Sequence, residues 1–316
     1  MEAEMRQSHV TQTRGILRPA ALATFVGATL LLALVVTGQG TQRATAQESG
    51  SNWLLELFDH RGDDIGEGIP MWGYSAFIRY NDHTILFDGG ASAKILEHNA
   101  RTYGVDLRDV DFAMVSHSHG DHTAGIDYLL EVNPSVRLYV PRDGSFGYPM
   151  EEGKEYRPGY RYQTDNMVFV GENVEIEEGV HLIHTTSSYT GSFSRYPPNE
   201  DEPRLFNLPE ISLALETESG DIVLISGCSH SGIEEIVKEA MRATGAEVEL
   251  VTGGFHLGPY SAEYVTELAH TMKEELAVHR AAPTHCTGDE AIEIFREVYG
   301  ADFVETGLGT RIPLPH

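Results

Sequence analysis

Lysine is almost missing from this chain. Four lysines (Lys94, Lys154, Lys238, Lys273) stand among 316 residues, and 22 Lys+Arg against 48 Asp+Glu leave a formal charge of −26. A polyanion finds no basic patch on such a chain, which excludes nucleic acid as a partner. Cysteine is scarce as well: Cys228 and Cys286 permit one disulfide and no disulfide framework. Each lies next to a histidine, in Cys-Ser-His and His-Cys, so closeness to a metal site is favoured over a bridge. No flavin-binding region is visible. Long apolar runs are limited to one, the uncharged stretch Ala20 to Val36. Arg6, Arg14 and Arg18 precede it, and Ala44-Thr45-Ala46 follows as a small-x-small cleavage pattern. Residues 1–46 therefore predict a secretory signal peptide, or an uncleaved N-terminal membrane anchor, and an exported protein. The membrane is engaged only through that segment.

At 41% hydrophobic the remainder can bury a core. Residues 47–316 are expected to form a single domain, with irregular insertions at about 141–165 and 187–209. The organising stretch is Val115 to Thr123, which holds His117, His119, Asp121 and His122. In an extended loop His117 and His119 point to one side, while the adjacent Asp121 and His122 diverge. One short loop thus offers two ligands to each of two ions. Imidazole suits Zn, Mn or Fe, and the carboxylate adds a hard oxygen. Asp111 to Val115 reads as a buried strand before the loop, and Thr123 to Val132 as a helix after it. Ligand loops between a strand's carboxyl end and a helix are where α/β proteins place their sites.

The same theme recurs twice more. Strand Asp221 to Ile225 runs into Cys228 and His230, both competent ligands, and then into a helix at Ile233 to Ala243. The segment Ala282 to Gly288 carries His285 before a helix at Asp289 to Tyr299. Strand Val248 to Thr252 ends in two glycines and His256, which is expected to line the cleft as an acid/base group or substrate contact. A helix is expected over Ser261 to Val278, and a final short strand near Phe303. Between Pro141 and Gln163 the aromatic residues and arginines, among them Tyr148, Tyr160 and Arg161, form a candidate substrate lid for an anionic or aromatic small molecule. The stretch Ser194 to Pro209, with four prolines, is expected to be irregular. His60 and seven other histidines have no ligand context.

The HxHxDH run resembles the metallo-β-lactamase superfamily, and the likeness extends from about Trp53 to the C-terminus. SGCSHSGI, GGFHL and PTHCTG together resemble its dihydropterin-methyl-ribofuranosylaminobenzene-phosphate synthase-like branch. The resemblance implies a four-layer αββα sandwich with the metal site at one edge of the two sheets. It implies that Asp88 supports the ligand loop from below and that His285 completes a second metal position. Cys228 stands where many relatives carry a bridging Asp, and Ser188 where the third histidine of the first metal is usual. Asp121 is also a candidate proton acceptor. The expected cofactor is one or two Zn2+ ions, with Mn2+ or Fe as alternatives. The expected activity is hydrolysis of an ester, phosphoester or lactone by metal-activated water. The alternatives are a synthase-like transferase releasing diphosphate, and a metal- or ligand-binding protein without turnover.

Overall fold

The computed structural model describes residues 52–62, 66–148, 165–190, 193–194 and 206–315, with backbone alone at 188–190, 193–194 and 206–207. The first strands are β1 (Trp53–Phe58), β2 (Ser75–Tyr80), β3 (His83–Phe87), β4 (Phe112–Met114), β5 (Arg137–Pro141) and β6 (Met167–Val170). Then come β7 (Val174–Glu177), β8 (Val180–Thr190), β9 (Phe193–Ser194), β10 (Phe206–Glu216), β11 (Ile222–Ser226), β12 (Val248–Gly254), β13 (Arg280–Thr284) and β14 (Arg311–Pro313). The helices are α1 (Ala93–Thr102), α2 (Gly120–Thr123), α3 (Ile126–Val132), α4 (Ile233–Thr244), α5 (Ala262–His270) and α6 (Asp289–Tyr299).

Two sheets result. One runs β14-β1-β2-β3-β4-β5-β6 and the other β13-β12-β11-β10-β8-β7, with β9 on β8. The outer strands of each are antiparallel hairpins, whereas β3 to β6 and β11 to β13 are parallel. Parallel strands are covered on both faces and so read as continuous apolar runs. Ile222-Val223-Leu224-Ile225 is such a run, and all of β11 is buried. Three apolar clusters fill the spaces between layers. Ile78, Phe87, Leu213 and Ile225 meet between the sheets. Leu96, Ile126 and Leu129 pack α1 and α3 on the first sheet. Ile236, Leu268 and Phe295 pack α4, α5 and α6 on the second. Helix, sheet, sheet, helix is the expected αββα sandwich.

This order decides where chemistry can sit. The parallel strands bring the segments after β3, β4, β11, β12 and β13 to one edge of the sandwich. Four of those segments contain a non-glycine residue in the left-handed region: Asp88 (φ 57°), Ser229 (60°), His256 (53°) and His285 (51°). Such backbone costs of order 1–3 kcal/mol per residue and collects at functional sites.

Several expectations change. Strand β10 begins at Phe206, inside the stretch expected to be irregular, because it pairs residue by residue with β8 from Tyr189 to Val180. The second insertion is correspondingly narrower than 187–209. Strands β6 and β7 arise where none was expected. The long helix of the last third is α only to His270 and continues as a π-turn over Thr271–Glu275. Phe303 makes an isolated bridge to Ala281, and the closing strand is β14. Among the described residues no helix is long and apolar enough to cross a membrane. Residues 1–46 lie outside the described residues.

Candidate metal centre

The ligand loop leaves β4 at Met114 and is fixed by one buried carboxylate. Asp88 Oδ1 accepts the Ser116 backbone N–H at 2.6 Å, and Oδ2 accepts the Ser116 hydroxyl at 2.7 Å. Asp88 Oδ2 also faces His122 Nδ1 at 2.6 Å. With its proton committed to Asp88, the Ser116 oxygen accepts from His117 Nδ1 at 2.9 Å. The network thus assigns the Nδ1–H tautomer to both rings and turns both Nε2 lone pairs toward the cluster, as supporting carboxylates do for ligand histidines. Gly227 explains part of the fit: a Cβ there would lie 2.1 Å from Ser116 Oγ and 3.1 Å from Asp88 Oδ2.

Six imidazoles, one carboxylate and two thiols converge. His117, His119 and His230 form one group whose ligand atoms all lie within 4.8 Å of one another, and Asp121, His122 and His285 form another. Cys228 joins His117 and His122 in a third. His117 Nε2 is 3.0 Å from His119 Nδ1, and His122 Nε2 is 3.1 Å from Cys228 Sγ. Asp121 Oδ2 stands 3.8 Å from His122 Nε2 and 3.6 Å from His285 Nε2. His230, from a different strand end, reaches the His117/His119 pair. The side chain of Ser188 lies outside the described residues.

The donor set fits a metal. His285 is 1% exposed, and among the described residues neither of its ring nitrogens has a hydrogen-bond partner. Buried polar atoms left in that state cost about 1–3 kcal/mol each unless something else satisfies them. Imidazole, carboxylate and thiolate are the donors that hold Zn2+ and related divalent ions.

Burial depresses His117 and His230 well below the ordinary histidine value, and the surrounding imidazoles add to the effect. Both stay neutral, which is the ligating form. Burial also acts to lower His122, but Asp121 and Asp88 outweigh it and push His122 up to about 9 in the metal-free protein, so a bound ion would displace the proton from its Nε2. Burial acts to raise Asp121; His122 and His285 outweigh it and keep it ionised. The two thiols divide: burial raises Cys228, whereas Cys228, His285 and His256 together overcome burial at Cys286 and lower it.

Of the residues expected from sequence, His117, His119, Asp121, His122, Cys228, His230 and His285 come together, with Asp88 beneath them. His256 adjoins, its ring 4.4 Å from that of His230. Tyr148 does not join them: its ring packs at 5.2 Å on Phe169, with Arg142 over it at 5.9 Å. Tyr160 and Arg161 lie outside the described residues.

Other site residues stand outside any ligand motif in the sequence. Asp59 is buried at the end of β1 and accepts from Thr284 Oγ1 at 2.7 Å and from the His285 backbone N–H at 3.1 Å. Its position after a strand parallels that of Asp88 and was a usable clue. Glu210 is buried on β10 and accepts the N–H groups of His230 and Ser231, at 3.0 and 2.8 Å, and the Ser231 hydroxyl at 2.9 Å. Trp72 Nε1 donates to Asp121 Oδ2 at 2.8 Å. His60, expected to be a surface or packing residue, sits 3.2 Å from Asp59 Oδ1 and against Trp72.

Comparison with known proteins agrees with this geometry. The family model described as the metallo-beta-lactamase superfamily matches residues 71–202. The chain is 26% identical to the 7,8-dihydropterin-6-methyl-4-(beta-D-ribofuranosyl)-aminobenzene-5'-phosphate synthase of Methanocaldococcus jannaschii, over 81% of this chain and 95% of that one. A solved metal-dependent hydrolase of the beta-lactamase superfamily shares the fold at a TM-score of 0.62 and 22% identity, covering 84% of this chain and all of that one. The short form of human tRNase Z does so at 0.51 and 14%, covering 84% of this chain and all of that one. Ligand loop, sandwich and relatives agree: the chain has the metallo-β-lactamase fold, and over residues 71–202 it resembles the metallo-β-lactamase superfamily.

Proposed function

We propose that this protein is an exported metal-dependent hydrolase acting on an ester, phosphoester or lactone of a small molecule. The observation that carries the reading is the pair of three-residue groups, His117/His119/His230 and Asp121/His122/His285, which adjoin where the His117 and His122 rings lie 4.3 Å apart. These residues would hold one or two divalent ions, with zinc best matched to the mixture of imidazole, carboxylate and thiol. An ion held there supplies Lewis acidity, activating water near neutral pH and polarising the bond to be broken. The chain does the rest. Asp88, Ser116, Asp59 and Glu210 fix ligand orientation. Asp121, partly open to solvent and ionised, is placed to accept a proton from incoming water. His256, beside His230, is placed to return one to a leaving group. Trp72, exposed and bonded to Asp121, borders the opening. Residues 1–46 supply the export signal in this reading.

A second reading is a synthase-type transferase that releases diphosphate, and the Methanocaldococcus relative supports it. The test is a panel of chromogenic esters, phosphodiesters and lactones, run beside metal analysis of the wild type and His119→Ala. Hydrolysis lost together with metal in His119→Ala supports the hydrolase. Metal without turnover on any panel member, combined with diphosphate release from an aromatic amine and a diphosphate ester, supports the transferase. Activity that persists without metal defeats both.

A further inference from the structure

We infer that the cluster contains a thiolate metal position, made by Cys228, Cys286 and His285, that selects a thiophilic ion such as Zn2+ or Cd2+ over Mn2+. This rests on the metal-dependent reading above and adds Cys286, which no ligand pattern assigned. The two sulfurs and a His285 ring nitrogen lie within 4.8 Å of one another. Both cysteines are free and buried, at 3% and 7% exposure. They come from the ends of β11 and β13, which flank β12 in a parallel sheet, so the backbone holds the spacing.

Two further observations separate this group from ordinary core cysteines. The space for Cys286 is cleared by glycine: a Cβ at Gly254, at the end of β12, would lie 2.7 Å from Cys286 Sγ and 3.1 Å from His285 Cδ2. And the third member, His285, is a buried imidazole whose two nitrogens lack hydrogen-bond partners among the described residues. Core cysteines are surrounded by carbon; these two have imidazoles as neighbours. Cys228 also touches His122 Nε2 and groups with His230 and His256, so it links the sulfur side to the imidazole side. Asp121, an oxygen donor, stands 3.6 Å from His285 Nε2. His285 thus has both soft donors and a hard donor within reach, and a soft ion is drawn to the sulfurs.

The test uses the purified full chain, reduced, stripped with chelator and titrated with Co2+. We expect visible ligand-field bands together with a near-ultraviolet thiolate-to-cobalt charge-transfer band. Cys286→Ser should lower the charge-transfer intensity to about half, since each thiolate contributes one ligand. Cys228→Ser/Cys286→Ser should remove it while ligand-field bands remain. Cd2+ should displace cobalt from this position and Mn2+ should not. Ligand-field bands without charge transfer in the wild type would overturn the thiolate position and leave the imidazole and carboxylate sites standing. A band unchanged in Cys286→Ser would overturn the role of Cys286. No cobalt bound at all would defeat the metal-dependent reading itself.

Discussion

Glu210 offers the sharpest test of how the rearranged site is built. It lies on β10, fully buried, and its carboxylate accepts three donors from the loop that carries His230. Replacing it with alanine leaves three buried donors unsatisfied. At roughly 1–3 kcal/mol each the ceiling is about 9 kcal/mol, and local relaxation brings the cost nearer the lower end, about 3 kcal/mol. Against a typical domain stability of about 5–15 kcal/mol the protein still folds. Glu210→Gln keeps one carbonyl acceptor at nearly the same volume and should cost about 1–2 kcal/mol. Residues that orient a ligand typically change metal affinity by about 10–100-fold when removed. The assay is urea unfolding of the metal-free protein beside chelator-competition titration with zinc. The expected order of zinc affinity is wild type, then Glu210→Gln, then Glu210→Ala. If Glu210→Ala loses stability but binds zinc as the wild type does, Glu210 holds the loop without orienting His230. If it loses neither, the hydrogen-bond argument is wrong.

His230→Ala should lower bound zinc by one equivalent in elemental analysis, whereas Ser188→Ala should leave it unchanged; the reverse pattern would restore the usual ligand position. Asp88→Asn should weaken zinc binding by about 10–100-fold, because an amide cannot replace a carboxylate that serves Ser116 and His122 together. Gly227→Ala should destabilise by about 1–3 kcal/mol, read as a lower Tm, since its methyl would collide with Ser116. Glu56 carries a pH signature. Burial, and then Asp59, raise its carboxyl well above the usual 4.5. The native state then holds a proton that the unfolded state has released, so stability falls as pH rises above 4.5 toward the folded value. Glu56→Gln should flatten that fall and raise Tm at pH 8 relative to the wild type. An equal or lower Tm at pH 8 would refute the assignment.

The sequence by itself determined the parts whose information is local. HxHxDH packs four donors into one loop, and its chemistry follows from residue type and spacing. Period and apolar runs placed most strands and the helices α4 and α6, because those segments bury one face or both. The motifs around Cys228, His256 and His285 announced themselves as strand ends followed by helix starts. Tertiary structure decided the rest. His230 completes the His117/His119 group only because β4 and β11, in different sheets, end at the same edge. No periodicity expresses a contact such as His122 with Cys228, 106 residues apart. Asp59 and Glu210 read as ordinary surface carboxylates, because a charge in sequence is normally solvated. They are buried here because each meets the backbone N–H groups of a ligand loop. The strand around Pro209 was hidden by proline, which is tolerated there because β11 pairs only with Leu213 to Glu216 and leaves β10 with β8 as its one strand neighbour at Pro209 among the described residues. Local chemistry wrote the ligands into the chain, and the closing of two sheets against each other chose which of them share a site.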